Sequence, residues 1–167
     1  MLQEIDKTYK QIENKILNHE IYQNVKDYSK AKEKMRTYLE IGGLLNDVDT
    51  KYGKSVIKNY AKRLTYKFGK KYSTSLLYKI KQFYSIIEKV PTMSGKLTWS
   101  HWYEMLPIED INKIIYYANQ SDIKKLDVRQ LREKIKNREY ERIYETTYML
   151  INQNKIKQVD KQTNVFV

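Results

Sequence analysis

The chain has 167 residues, with 32 Lys+Arg against 20 Asp+Glu for a formal net charge of +12, and it contains no Cys, 5 Gly, 2 Pro and 16 Tyr. The lack of Cys excludes a disulfide framework, Cys-ligated zinc and a thiol nucleophile, and neither GxxxxGK[ST] nor GxGxxG occurs to cradle a phosphate. No apolar run approaches the ~20 residues of a membrane span and Met1–Lys7 is charged rather than signal-like, so the composition points to a soluble, basic, cytoplasmic protein of one domain or two small ones.

The chain reads as helices throughout. Leu2, Ile5, Tyr9, Ile12 and Ile16 recur every three or four residues and predict an amphipathic first helix, which the polar run Asn18–Glu20 is expected to interrupt. A second helical stretch is expected from about Ile21. A third carries Ala31, Met35, Tyr38, Leu39, Leu45 and Val48. Its Gly42-Gly43 pair either weakens or kinks it or permits close packing of another helix. A fourth helix is predicted over Lys54–Phe68, ended by Gly69, and a fifth over Thr74–Lys89, N-capped by Ser73. Pro91–Lys96 reads as a loop, with a short hairpin or wing near 91–97. A short helix over Thr98–Leu106 stops at Pro107. Asp110 stands in the first turn of a helix through Ala118, and Asp127 with Gln130 gives a capping-box start to another. Arg138–Asn152 is helical and highly charged, and the last fifteen residues are expected to fray. The predicted fold is all-α, organised as N-terminal helices (1–50) able to dimerise, a basic core (51–136), and a charged C-terminal helix with its tail (137–167). Five tyrosines at six-residue intervals (Tyr60 to Tyr84) cannot line one helical face and are attributed to chance.

Charge is unevenly placed. Residues 1–50 hold 8 basic and 9 acidic side chains, residues 51–90 hold 11 basic and one acid (Glu88), and residues 91–167 hold 13 and 10, so +10 of the +12 lies in forty residues. A Lys-rich coding bias would raise Lys everywhere. It does not empty one segment of acids. A concentrated basic segment is the electrostatic footprint of polyanion binding.

Lys54–Lys89 also has the outline of a helix-turn-helix. On the second helix Leu76, Ile80, Phe83 and Ile87 share an arc, flanked by Leu77 and Tyr84. The opposite arc carries Thr74, Ser75, Tyr78, Lys81, Gln82 and Ser85, groups able to meet base edges or phosphates. Candidate nucleic-acid contacts are Lys70, Lys71, Ser73, Thr74, Ser75, Tyr78, Lys79, Lys81 and Gln82. A second set, Lys124, Lys125, Arg129 and Arg132, surrounds the Asp127 cap. His101 and Glu104 lie three apart on one helical face. A metal site needs three or four ligands, and the remaining His is His19, far off in sequence, so a capping role for Thr98 or Ser100 is preferred to catalysis there. Trp99, Trp102 and Leu106 are assigned to the core.

The runs Tyr52-Gly53-Lys54-Ser55-Val56-Ile57, Phe68-Gly69-Lys70-Lys71-Tyr72-Ser73 and Leu77-Tyr78-Lys79-Ile80-Lys81-Gln82-Phe83-Tyr84 resemble one family. So do Leu97-Thr98-Trp99-Ser100-His101-Trp102-Tyr103-Glu104-Met105-Leu106 and Leu126-Asp127-Val128-Arg129-Gln130-Leu131-Arg132. Over about residues 20–145 the chain resembles the N-terminal helical domain of YhcG-like nucleases, in which a PD-(D/E)XK nuclease domain follows. The resemblance implies a helix-turn-helix-like, DNA-binding module whose partner domain would cut. This chain shows no acid pair followed by Glu-x-Lys in a strand context, so no catalysis, metal or cofactor is expected of it. The reading is a nucleic-acid-binding module, DNA favoured over RNA, acting as a homodimer. The alternative is a mobile-element inhibitor or adaptor, such as an anti-CRISPR, acting on a nucleic-acid-processing defence complex through a protein partner.

Overall fold

The computed structural model describes residues 1–24, 30–93, 95 and 97–163. Among them there are eight α-helices and no strand: α1 (Leu2–Asn24), α2 (Lys30–Tyr52), α3 (Lys54–Phe68), α4 (Thr74–Lys89), α5 (Trp99–Met105), α6 (Ile111–Ile123), α7 (Val128–Lys136) and α8 (Glu139–Thr163), with 3-10 turns at Lys70–Tyr72 and Pro91–Met93.

The first four helices form one packing group around α2. Each offers an apolar stripe at helical spacing: Tyr9, Ile12 and Ile16 from α1, Tyr38, Ile41, Leu45 and Val48 from α2, Ile57, Tyr60 and Leu64 from α3, and Leu77, Ile80, Phe83 and Ile87 from α4, all buried. The α2–α4 contact is the most extensive, and the glycine pair explains it. A Cβ on Gly42 would stand 2.5 Å from Tyr84 Cβ and 2.8 Å from the Ile80 carbonyl oxygen. The pair does not break α2. It lets α4 lie against the backbone of α2.

Helices α5 to α7 form the second group, and two tryptophans join the groups. The Trp99 ring lies 4.7 Å from Tyr38 and 5.7 Å from Phe83, and Trp102, fully buried, lies 5.4 Å from Phe83. The caps act as the residues dictate. Ser73 Oγ accepts from Leu76 N at 3.4 Å, Asp110 accepts from Asn112 N, and Asp127 and Gln130 exchange both bonds of a capping box. Gly69 takes φ +94°, a conformation L side chains avoid, and turns α3 toward α4 while its N–H bonds the Thr65 carbonyl at 3.0 Å.

Three expectations need correction. Asn18–Glu20 does not interrupt the first helix, and no separate helix starts at Ile21, because α1 runs on to Asn24. His19 is buried with Nδ1 2.7 Å from Glu33 Oε2, and Glu20 accepts from Lys71 and Tyr72. Polarity there serves long-range pairing rather than a break. The helix does not stop at Asn152, since α8 is helical to Thr163, with residues 164–167 outside the described residues. For 91–97, the described part is a 3-10 turn rather than a hairpin, with Ser94 and Lys96 outside the described residues.

Candidate nucleic-acid interface

The cations of residues 51–71 divide into two sets by their position on the helix. One set faces the acids of α1. Lys51 pairs with Glu4 (3.1 Å), Arg63 with Asp6 (2.8 Å), Lys67 with Glu13 (3.1 Å) and Lys71 with Glu20 (2.6 Å). The Arg63 guanidinium also covers the Tyr9 ring, 3.5 Å from its centroid. Hydrogen bonds from Tyr52 and Lys51 hold the Glu4 carboxyl below the usual carboxylate range. Burial alone would raise Glu20, yet donation from Lys71 and Tyr72 outweighs it and lowers that carboxyl too.

The other set faces water. Ile57, Tyr60, Ala61 and Leu64 bury one side of α3, which turns Lys54, Lys58, Lys62 and Tyr66 outward at successive i,i+4 positions. Lys70 follows on the turn. All five are exposed, Tyr66 by 95%, and no ion pair to a described residue engages these four lysines. By helix rise, Lys54 to Lys62 spans about 12 Å.

The candidate contacts on α4 are placed on its outer arc as the periodicity predicted, but most are engaged. Tyr78 donates to the Lys54 carbonyl at 3.2 Å, Gln82 to the Leu106 carbonyl at 2.6 Å, and Ser85 to the Lys81 carbonyl. Lys81 is bound to Asp49, with both side chains largely covered. Lys79 bonds the Tyr103 hydroxyl and stands 3.7 Å from that ring's centroid. Ser73 is spent on its cap. Thr74 and Ser75 begin the helix with no hydroxyl bond among the described residues, Ser75 exposed.

The second set sits at the α6–α7 corner, in the other packing group. Lys124 caps the end of α6, Lys125 adopts φ +51° and reaches Asp122 at 3.2 Å, and Arg129 projects into water. Arg132 forks onto Glu104 with bonds of 3.0 and 2.5 Å, a bidentate geometry, and that hydrogen bonding lowers the Glu104 carboxyl. His101 accepts from or donates to Thr98 Oγ1 at Nδ1 (2.8 Å), while Nε2 lies 2.9 Å from the Leu126 carbonyl and must donate there. Thr98 occupies the cap position of α5, but its hydroxyl serves His101 instead of a backbone N–H. His101 and Glu104 thus tie α5 to the α7 region, each through a different partner. Among the described residues no group of three His, Cys, Asp or Glu is placed to hold a metal, and no helix is long and apolar enough to cross a membrane.

A family model, described as the DUF1016 N-terminal domain, matches residues 11–142. The chain belongs to the DUF1016 N-terminal domain family. This is the family of the YhcG-like nucleases, so the resemblance carried by the Tyr52–Ile57, Phe68–Ser73 and Leu97–Leu106 runs is to the right domain, and the nuclease part of the family is not within the match. No curated protein and no solved structure matches the chain.

The sequence analysis did not single out the exposed row Lys54, Lys58, Lys62 and Tyr66. Their signal was present: i,i+4 spacing opposite the Ile57–Leu64 apolar stripe. A helix-turn-helix outline places the expected contacts on the second helix rather than the first.

Proposed function

We propose that this DUF1016 N-terminal domain is a nucleic-acid-binding module that grips duplex DNA by its phosphates through the outer face of α3. The observation that carries the reading is the stripe of Lys54, Lys58, Lys62 and Lys70, exposed and without an acidic partner among the described residues, beside a second row of cations that α1 neutralises. A structural basic surface would be expected to use its lysines in ion pairs on both flanks. Here one flank is paired residue by residue and the other is left bare. Twelve ångströms of stripe match the axial length of about three or four phosphates on one strand. Lys70 adds a cation next to the α4 N-terminus, where Thr74 and Ser75 offer hydroxyls to a phosphate.

Binding by this face is backbone-directed. Tyr78, Lys81 and Gln82, the side chains best suited to base readout, hold other parts of the fold together, and freeing Lys81 would leave the Asp49 carboxylate covered and unpaired. Sequence selectivity is therefore low, and this chain supplies affinity rather than chemistry.

The test is a matched pair of charge reversals. Lys58→Glu with Lys62→Glu should weaken duplex binding by more than about 10-fold at physiological salt, since two phosphate contacts become repulsions. Lys7→Glu with Lys10→Glu makes the same change in net charge on the exposed side of α1 and should move affinity much less. Equal losses in both variants would reduce the effect to net charge and refute an α3 interface.

A further inference from the structure

Helix α8 leaves the body of the protein almost as soon as it starts. Its first turn is anchored: Tyr116 donates to Glu139, Lys113 binds Glu141, and the Tyr140 ring packs 5.4 Å from Tyr116. From Arg142 to Ile151 every residue is exposed. That stretch is not polar. On a helical wheel Ile143, Tyr144, Thr147, Tyr148, Leu150 and Ile151 fall within one arc of about 160° that includes Thr147. Ile143, Tyr144, Tyr148, Leu150 and Ile151 are 48%, 61%, 58%, 55% and 48% exposed. Outward from Tyr140 the tyrosines stack on one another, Tyr140 on Tyr144 and Tyr144 on Tyr148. Isolated apolar residues on a surface need no account, but a contiguous face of this kind marks an interaction site.

We propose that this face is a self-association surface, on which α8 of a second copy lies antiparallel across a two-fold axis near Thr147. Three observations select that occupant. The sequence between Glu145 and Lys155 has no charged residue in a chain that is 31% charged, which removes charge selection of a foreign partner from the centre of the face. A two-fold axis at Thr147 sets residues 139–145, which sum to a formal −2, against residues 149–155 of the second copy, which include no acid, whereas parallel pairing sets Glu141 and Glu145 each against its own counterpart. The area also suffices. Five large side chains about half exposed offer about 500 Å² per copy, so the pair buries about 1,000 Å², the lower bound of a specific interface. Two-fold pairing is isologous: Ile143 of one copy meets Ile151 of the other, and Thr147 meets Thr147. The surface lies outside the α3 stripe, and its existence does not depend on nucleic-acid binding.

Sedimentation and light scattering of the whole chain without nucleic acid, from about 1 to about 100 μM as a ~1,000 Å² interface requires, should show the mass rising from 20.2 kDa to twice that value. Tyr148→Glu with Ile151→Glu should hold the chain at one-copy mass. Both residues are exposed, so the far-ultraviolet dichroism and melting midpoint should stay near those of the parent, which separates lost association from lost folding. Orientation is read by oxidation, because the chain has no native Cys. A mixture of I143C and I151C should crosslink between the two variants, while I143C alone should not. A one-copy mass at every concentration, a dimer that survives the double substitution, or efficient crosslinking of I143C to itself would each overturn the proposal.

Discussion

Adjacent glycines in α2 should respond in opposite directions to the same methyl group. At Gly42 a Cβ would stand 2.5 Å from Tyr84 Cβ and 2.8 Å from the Ile80 carbonyl oxygen, so α4 itself must move away. At Gly43 the nearest atoms are on the Tyr84 ring, at 3.3 to 3.8 Å, and a ring can yield by a few tenths of an ångström. Both substitutions gain about 0.8–1 kcal/mol of helix propensity. Overpacking against backbone costs about 3 kcal/mol, the upper end of its usual range, so Gly42→Ala should be destabilised by about 2 kcal/mol net. Gly43→Ala keeps most of its propensity gain and should be stabilised by about 0.5 kcal/mol. For a chain of this size that corresponds to a fall of about 4–8 °C and a rise of about 1–2 °C in the melting midpoint. Thermal melts followed at 222 nm, with reversibility checked, decide it. A Gly42→Ala protein as stable as its parent, or equal shifts at both positions, would refute the close approach of α2 and α4.

Other outcomes follow from the caps and the buried phenols. Asp127→Ala removes the capping-box bond that Asp127 Oδ1 accepts from the Gln130 N–H, while the bond from the residue-127 N–H to Gln130 Oε1 can remain; it should cost about 1 kcal/mol, seen as a melting midpoint lower by about 2–4 °C. Burial pushes the hydroxyls of Tyr9, Tyr38 and Tyr60 up to about 12 from an ordinary 10. A phenol whose folded value is raised contributes stability that is complete below pH ~10 and is lost as pH climbs through ~12. Spectrophotometric titration at 295 nm should therefore show these three phenols ionising together as the protein unfolds in alkali. In acid, Lys134 and Lys113, with some opposition from burial, hold the Glu139 and Glu141 carboxyls below the usual 4.5. Their stabilisation is present above that value and should disappear as pH falls below it, read as a declining melting midpoint between pH 5 and pH 3.

How much was legible in the sequence depended on how local the cause was. The Lys54–Phe68 and Thr74–Lys89 helices, the Ser73 cap and the Asp127–Gln130 box are fixed by residues within a few positions of one another, and they stand where the periodicity and capping chemistry put them. The Asn18–Glu20 run was misleading because the partners that make it helical, Glu33 and Lys71–Tyr72, are 14 to 52 positions away. Gly42 was ambiguous for the same reason: whether a glycine weakens a helix or admits a neighbour is decided by Tyr84, on another element. The outer arc of α4 was identified correctly as an arc, but its engagement with Asp49, Lys54 and Leu106 depends on tertiary contacts that periodicity does not report. The α3 stripe is defined by tertiary pairing that periodicity does not report: α1 acids engage Lys51, Arg63, Lys67 and Lys71, and among the described residues no acid pairs with Lys54, Lys58, Lys62 or Lys70.

The central claim, that those four lysines meet phosphates, is tested most directly by the salt dependence of binding to a fluorescently labelled duplex, followed by anisotropy. Four phosphate contacts predict that log K falls against log salt with a slope of about −3.6. Changing Lys58 and Lys62 to Ala should bring the slope to about −1.8, two contacts having been removed. No binding at low salt, or a slope that stays the same in the double-alanine protein, would contradict the account.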